Sequence, residues 1–419
     1  MSTPATTSNP RPEPRWPIET PAFWRDPHTG WAEMRRQAPV YPLDSPDAPI
    51  SWNRGIGWYF TRYDDCVAVL RDTRRFVKDV HRAFDPEDFE GMPPDPPFVT
   101  LGNRSMINQE DPEHSRLRRL VSLAFSPSRV RAMRGRIETV THQLLDAVVE
   151  QGETDLKESF AFPLPITVIA EILGFPAEDH HKLRDWAPLA PPLSAEEAQR
   201  VQDGVDKLTE YLRKTFDRRR AEPEDDLITA LIQAESEGQR LSDDDLLAMV
   251  LLLTSAGFET TMNTLLNGTL ALLRHPDQLA LLRSRPELVE SAVEEILRYD
   301  PPIHTATLRW AAVDSEIRGQ QIRRGDRVLP VVAAANRDPE RFPDPDRFDI
   351  QRQDNKHIAF GIGTHFCTGA PLARLELQVA FPILLERLPQ LRLAIPDEAV
   401  EWEFFFPFRR LAALPVAWG

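Results

Sequence analysis

Cys367 is one of two cysteines in 419 residues, and it stands in the stretch "FGIGTHFCTG". Gly361, Gly363 and Gly369 surround it, and His365 lies two places before it. Sulfur does chemistry as the thiolate, which a metal ion or the N–H groups at a helix N-terminus stabilise. A helical pattern runs from Thr368 to about Arg387, so such N–H groups are close by. Glycines without a Cβ let the backbone pass near something bulky and planar.

Three other spacings carry chemical possibilities. Glu259 and Thr260 lie in "AGFETT", inside a long apolar run. An ionisable acid in such surroundings is costly unless it is satisfied or functional. Glu295 and Arg298, in "EEILR", are three apart and share one helix face. His114 and Arg118, in "HSRLR", are one turn apart. Taken singly, the last two pairs have an ordinary surface explanation, and Glu259 and Thr260 could be an acid at the helix edge and a helix-interior hydroxyl.

These residues need a large frame to hold them. At 419 residues the chain can bury a substantial core, with 41% hydrophobic and 27% charged residues. Its net charge of −15 disfavours nucleic acid as a partner, because phosphate binding needs a positive surface. Residues 1–17 are polar and proline-rich, and are expected to be a disordered tail without signal or anchor. Residues 18–419 are expected to form one large domain. A strand pair is expected around "APISWNRGIGWYFTRY", and Cys66 in "YDDCVAVLRD" as a small core residue. Residues 79–108 lack a clear period and suggest a long loop. Helices are expected over 128–151, 161–174, 196–220 and 226–237. The longest runs from an N-cap at Ser242, with three aspartates in its first turn, to Pro276. Helix dominates, strands are short, and no βαβ alternation occurs. The fold class is mainly α with small β-sheets.

For Cys367 the residues alone leave three readings. It could be a buried core cysteine, as unpaired cysteines commonly are. It could bind zinc, which needs three more ligands where only His365 and His357 stand near. It could be an axial thiolate on haem, which needs a single sulfur and an open opposite side. The stretch "FGIGTHFCTGAPLARLE" resembles the haem loop of the cytochromes P450, through Phe360, Gly363, His365, Cys367 and Gly369. Thr368 departs from the apolar residue usual there. The segments around Glu259, Glu295 and His114 resemble the family's other motifs, in the family's order, over nearly the whole chain beyond the tail.

The resemblance implies haem b, with Cys367 as its metal ligand and Phe360, Gly369 and Ala256 against it. His114, Arg118, Arg309 and His365 match positions that hold the propionates. Thr260 would hydrogen-bond dioxygen, and Glu259 would relay protons. Glu295, Arg298 and Arg347 would form a structural triad that holds the sulfur loop. Ala256 and Gly257 would let a ligand lie against the helix. The function implied is a monooxygenase of the soluble bacterial type. It would insert one oxygen atom of O2 into a hydrophobic small molecule by hydroxylation or epoxidation.

Electrons would come from NAD(P)H through a separate ferredoxin or flavodoxin and its reductase, with Arg116, Arg119 and Arg374 as candidate docking cations. Phe98, Met106, Leu252, Ala256, Ile303 and Phe405 are the candidate substrate pocket, with Phe84, Phe89 and Leu101 beside them. The proline-rich "APLAPPLSAEE" is a candidate lid. Arg410, where glycine is common in the family, leaves the local cavity shape open. A cytoplasmic monomer without membrane attachment is expected. The rivals are a peroxide-driven enzyme on the same fold, which generally lacks the acid–alcohol pair, and a non-catalytic haem sensor, which usually carries an output domain.

Overall fold

The computed structural model describes residues 15–18, 20–44, 56–90, 95–186, 195–236 and 238–419. The candidate lid falls largely on 187–194, and so lies outside the described residues, as does residue 1–14 of the expected tail. Trp16, at the end of that tail, is buried and packs edge-on against Tyr41.

The helix Asp243–Arg274 organises the molecule. It begins with a capping box: the Ser242 hydroxyl accepts from the Asp245 N–H, and the Asp245 carboxylate accepts from the Ser242 N–H. Arg104 and Arg116 close on the same Asp245 carboxylate, each at 2.8 Å. The helix is apolar on most of its circumference because it has core on both ends. Leu246 to Phe258 pack with the helices Pro163–Leu173 and Ala195–Ala221. Met262 to Leu272 pack with Val289–Tyr299 and Ala370–Arg387. Its length and composition would also suit a membrane span, but burial against these helices accounts for its hydropathy.

A five-stranded sheet flanks the helices. Its spatial order is Val40–Asp44, Ile56–Phe60, Arg327–Pro330, Arg309–Ala311 and Phe76–Val77. Ile56–Phe60 runs parallel to Arg327–Pro330, and the other pairings are antiparallel. The strand expected near residue 58 is therefore present, but its partner, Val40–Asp44, lies earlier in the chain than expected. Pro42 masks that strand in the sequence, yet it is tolerated because the strand forms the sheet edge. Cys66 is fully buried, as expected. The described residues of 79–108 are more ordered than a loop: they hold short turns at Val80–Arg82 and Pro86–Phe89 and a helix at Pro97–Asn103. Pro97 occupies the first turn of that helix, where its missing N–H costs nothing.

Candidate functional site

Where the two cores of the central helix meet, a cavity of about 280 Å³ opens. Cys367 and Thr260 both line it, as do His114, Arg118, Arg309 and His365. The cavity thus brings together side chains spread over more than 250 residues of sequence. Ala256 lies midway along the buried helix yet has exposed surface, because it faces this cavity.

The sulfur is presented by a tightly closed loop. Gly361 and Gly363 have φ of 70° and 79°, in the left-handed region that strains other residues. The Cys367 N–H returns to the Phe360 carbonyl at 2.9 Å, and the Phe366 N–H to the Gly363 carbonyl at 3.0 Å. Burial pushes the Cys367 thiol up from its ordinary value. The backbone N–H groups of Gly369 and Ala370, at the start of the following helix, pull against it, with Arg118 and Arg374 adding to them. The donor set favours an anion at the sulfur but does not by itself overcome burial; a metal ion would.

The loop is held from behind by a buried guanidinium. Arg298 and Glu295 are both fully buried and pair at 2.8 and 2.9 Å through two N–H donors. Arg298 also donates to the carbonyls of Asn336, Pro345 and Arg347. These carbonyls belong to irregular chain that has no ladder to satisfy them, so the planar fork replaces one. The expected third member needs correction. Arg347 contributes only its carbonyl, and its side chain is 66% exposed. The side chain on Glu295 is instead that of Arg352, whose Nε donates to the carboxylate at 3.2 and 3.3 Å, with the Asn355 amide at 3.1 Å. An arginine five residues further on is equally compatible with the sequence pattern, and only the path of the irregular chain decides between them.

At the cavity rim, more donors gather than acceptors. The rings of His114 and His365 lie 4.4 Å apart, and His114 Nδ1 and His365 Nε2 are buried without hydrogen-bond partners. Burial, with Lys78 next, lowers His365 to about 2, and burial, with Arg118 next, also lowers His114. Arg309 is fully buried on its strand, and Arg118 donates to the Phe366 carbonyl at 2.8 Å. Lys78, missed in the sequence, is buried behind them with its ammonium on the Leu308 carbonyl. Glu110 is the acid the buried Lys78 backbone N–H meets. Such a surplus of donors fits the two propionates of haem, and the sulfur fits its iron.

The acid and the alcohol part company. Thr260 lines the cavity, and its hydroxyl donates to the Ala256 carbonyl at 3.0 Å. Glu259 is buried and is not on the cavity wall; its carboxylate meets Arg410 at 3.1 Å. Burial raises the Glu259 carboxyl, against smaller opposing pulls led by Arg410. Neighbouring helix positions point about 100° apart, so one can face the cavity while the other faces Arg410. Gly257 lines the cavity beside Ala256, and its smallness also serves packing: a Cβ there would come within 2.7 Å of Ile169.

Of the candidate substrate residues, Met106, Leu252, Ala256 and Ile303 line the cavity. Phe98 and Phe405 do not. Phe98 lies on the Pro97–Asn103 helix with its N–H on Gln202, and Phe405 packs on Phe408 beneath the Arg410 guanidinium. Phe84 and Phe89 pack on each other in a separate cluster with Trp310. Of the candidate docking cations, Arg116 is held by Glu113 and Asp245, and Arg374 by Glu294 at 2.7 Å. Thr368 Oγ1 is buried without a partner.

His28, Asp300 and His304 form a separate cluster that could be taken for a metal centre. The hydrogen bonds close it: Trp31 Nε1 donates to His304 Nδ1 at 3.1 Å, which leaves the proton on Nε2, facing Asp300. A protonated nitrogen has no lone pair for a metal. Burial lowers His28 to about 3 and His304 to about 4. Both are therefore neutral in the fold, while the unfolded chain protonates them below about 6.5. The unfolded state binds more protons between those values, so stability is lost as pH falls. Urea midpoints at pH 7 and pH 5 are expected to reveal a loss of about 1–3 kcal/mol per pH unit, with a smaller slope in His28→Gln.

Fold, cavity and sulfur loop together define a haem-thiolate protein. Residues 165–392 match the family described as Cytochrome P450. The chain is 43% identical over 407 residues to Cytochrome P450 107B1 of Saccharopolyspora erythraea, covering 95% of this chain and 96% of that protein. It is 40% identical over 390 residues to mycinamicin IV hydroxylase/epoxidase of Micromonospora griseorubida, covering 93% and 94%. Among solved structures it superposes on the bacillaene polyketide synthase cytochrome P450 PksS of Bacillus subtilis with a TM-score of 0.88 at 36% identity, covering 96% and 99%. The chain belongs to the cytochrome P450 family. It is a monooxygenase of the bacterial type that uses haem b, O2 and electrons drawn from NAD(P)H.

Proposed function

We propose that this enzyme oxygenates a polyketide-class hydrophobic molecule in the 280 Å³ cavity. The observation that carries the reading is the cavity itself, with Cys367 and Thr260 on its wall and unpartnered imidazoles at its rim. The relative named for bacillaene polyketide synthase supports the substrate class. Cys367 would bind the haem iron through its sulfur. His114, Arg118, Arg309 and His365 would hold the propionates, with Phe360, Gly369 and Ala256 lining the place of the ring. Bound there, the haem supplies the oxygen activation that protein side chains cannot.

The chain's own residues do the rest. Met106, Leu252 and Ile303 offer apolar surface, and covering it with substrate contributes about 25 cal/mol per Å². Displaced water leaves a drier site, in which each polar contact counts for more. Thr260 can release the Ala256 carbonyl and turn its proton into the cavity. Glu259 relays protons to that side from its own face of the helix. Electrons arrive on the sulfur side, where Phe366 is 38% exposed beside Cys367, from a ferredoxin or flavodoxin with its reductase. The enzyme works in the cytoplasm as a monomer.

The substrate class is tested by a spin-state titration of the haem-loaded enzyme against macrolides, linear polyketides, fatty acids and steroids. Saturable shifts with the polyketides are expected; a response confined to the other classes would refute it. Thr260→Ala is expected to raise the share of reducing equivalents lost as peroxide by about tenfold. Unchanged coupling would remove Thr260 from proton handling.

A further inference from the structure

The carboxylate of Glu259 is occupied by a group that the P450 motif does not specify. The hairpin of Trp402–Phe405 and Phe408–Leu411 brings Arg410 directly opposite Glu403 in register. Arg410 Nη1 reaches Glu259 Oε1 at 3.1 Å, and Arg410 Nε reaches Glu403 Oε2 at 2.6 Å. Lys157, in the turn Lys157–Ala161, binds the other side of Glu403 at 3.2 Å and caps the carbonyls of Leu411 and Ala412. One guanidinium is thus shared by two carboxylates, one deeply buried and one 38% exposed. The charged groups acting on Glu259 are Arg410, Lys157 and Glu403, and the Asn263 amide lies one turn along its own helix.

We infer that Arg410 is the positioning residue for Glu259, holding the acid against the hairpin, and that Glu403 weakens this hold by competing for the same guanidinium. The inference rests on the reading of Glu259 as the proton-relaying acid. Each turnover step concerned moves one proton onto the carboxylate from the solvent side and the same proton off it toward Thr260, with no change in electrons. An acid tied too firmly to a cation stays ionised and hands nothing on; an acid left alone in the core stays protonated and does not reload. The two opposed anions on Arg410 place Glu259 between these limits. The hairpin is also bridged to the cavity wall, since Phe408 pairs with Ile303. The position of the clamp is therefore mechanically tied to the surface that substrate touches.

Two substitutions should act with opposite sign. Arg410→Gly removes the cation and raises the midpoint of Glu259. Glu403→Gln removes a like charge, frees Arg410 for Glu259 alone, and lowers it. The experiment is an infrared titration of the haem-loaded enzyme, following the buried carboxyl band that Glu259→Gln abolishes. The expected shifts are about one pH unit up and down, a tenfold change in the protonation equilibrium each way. Arg410→Met, which keeps the bulk, should match Arg410→Gly, and Arg410→Lys should restore most of the original midpoint. Haem content and the reduced carbon monoxide spectrum report that each protein is folded.

Shifts of one sign in both variants, or none in Arg410→Gly and Arg410→Met, overturn the inference and leave the relay reading standing. The relay is read separately, by coupling of NAD(P)H use to product in Glu259→Gln with a macrolide that gives a saturable spin-state shift as probe and a surrogate ferredoxin system. Unchanged coupling there would overturn the relay and this inference with it.

Discussion

Cys367→Ser protein is expected to lose the long-wavelength absorption of its reduced carbon monoxide complex and at least about a hundredfold in turnover, some 2.7 kcal/mol of barrier. The physical reason lies in the loop. Its hydrogen bonds from Cys367 and Phe366, and its two positive-φ glycines, use backbone atoms alone. A serine leaves them intact, so the fold and the donors at the rim should survive. What changes is one atom: an alcohol oxygen is a far weaker electron donor than a thiolate, and the N–H groups of Gly369 and Ala370 cannot ionise it at neutral pH. The measurement is the optical spectrum of haem-reconstituted protein beside wild type. An unaltered spectrum would mean that iron is bound through another residue, and the whole account of the site would fall.

The second large effect concerns the clamp behind the loop. Arg298→Met is expected to cost about 3–5 kcal/mol, because it takes the two-pronged partner from the fully buried Glu295 and orphans three backbone carbonyls. Haem retention should fail with it, since those carbonyls fix the chain that leads into Phe360. Arg352→Met is expected to be intermediate, about 1–3 kcal/mol, since Glu295 keeps Arg298. Arg347→Ala should stay within about 0.5 kcal/mol, because that side chain is exposed and only its carbonyl takes part. Denaturant midpoints and haem content for the three variants check the order. An Arg347 variant as damaging as the Arg298 variant would contradict the pairing seen here.

Much of this was legible beforehand where the signal is local. The Ser242 cap, the apolar length of the central helix and the glycine turns around Cys367 each follow from neighbouring residues acting on one another. The Glu295–Arg298 pair was legible for the same reason, since helix geometry places i and i+3 together. The misassigned residues were placed by packing rather than by their neighbours in sequence. Arg352 rather than Arg347 reaches Glu295 across more than 50 residues, along chain with no period to read. Phe98 and Phe405 are as apolar as Met106 and Ile303, and hydrophobicity does not say which cluster a side chain joins. Lys78 gave no signal, because a lysine in sequence looks solvated until its burial is known.

The amino-acid sequence by itself determined the family, the sulfur and the helix that faces it, because each is written in short contiguous motifs with local physical causes. The tertiary structure alone decided which face of that helix carries the acid. Thr260 turned toward the cavity and Glu259 toward Arg410, 151 residues on, once the hairpin had docked. Adjacent residues on a helix must diverge, and what each then meets depends on packing that no local pattern encodes.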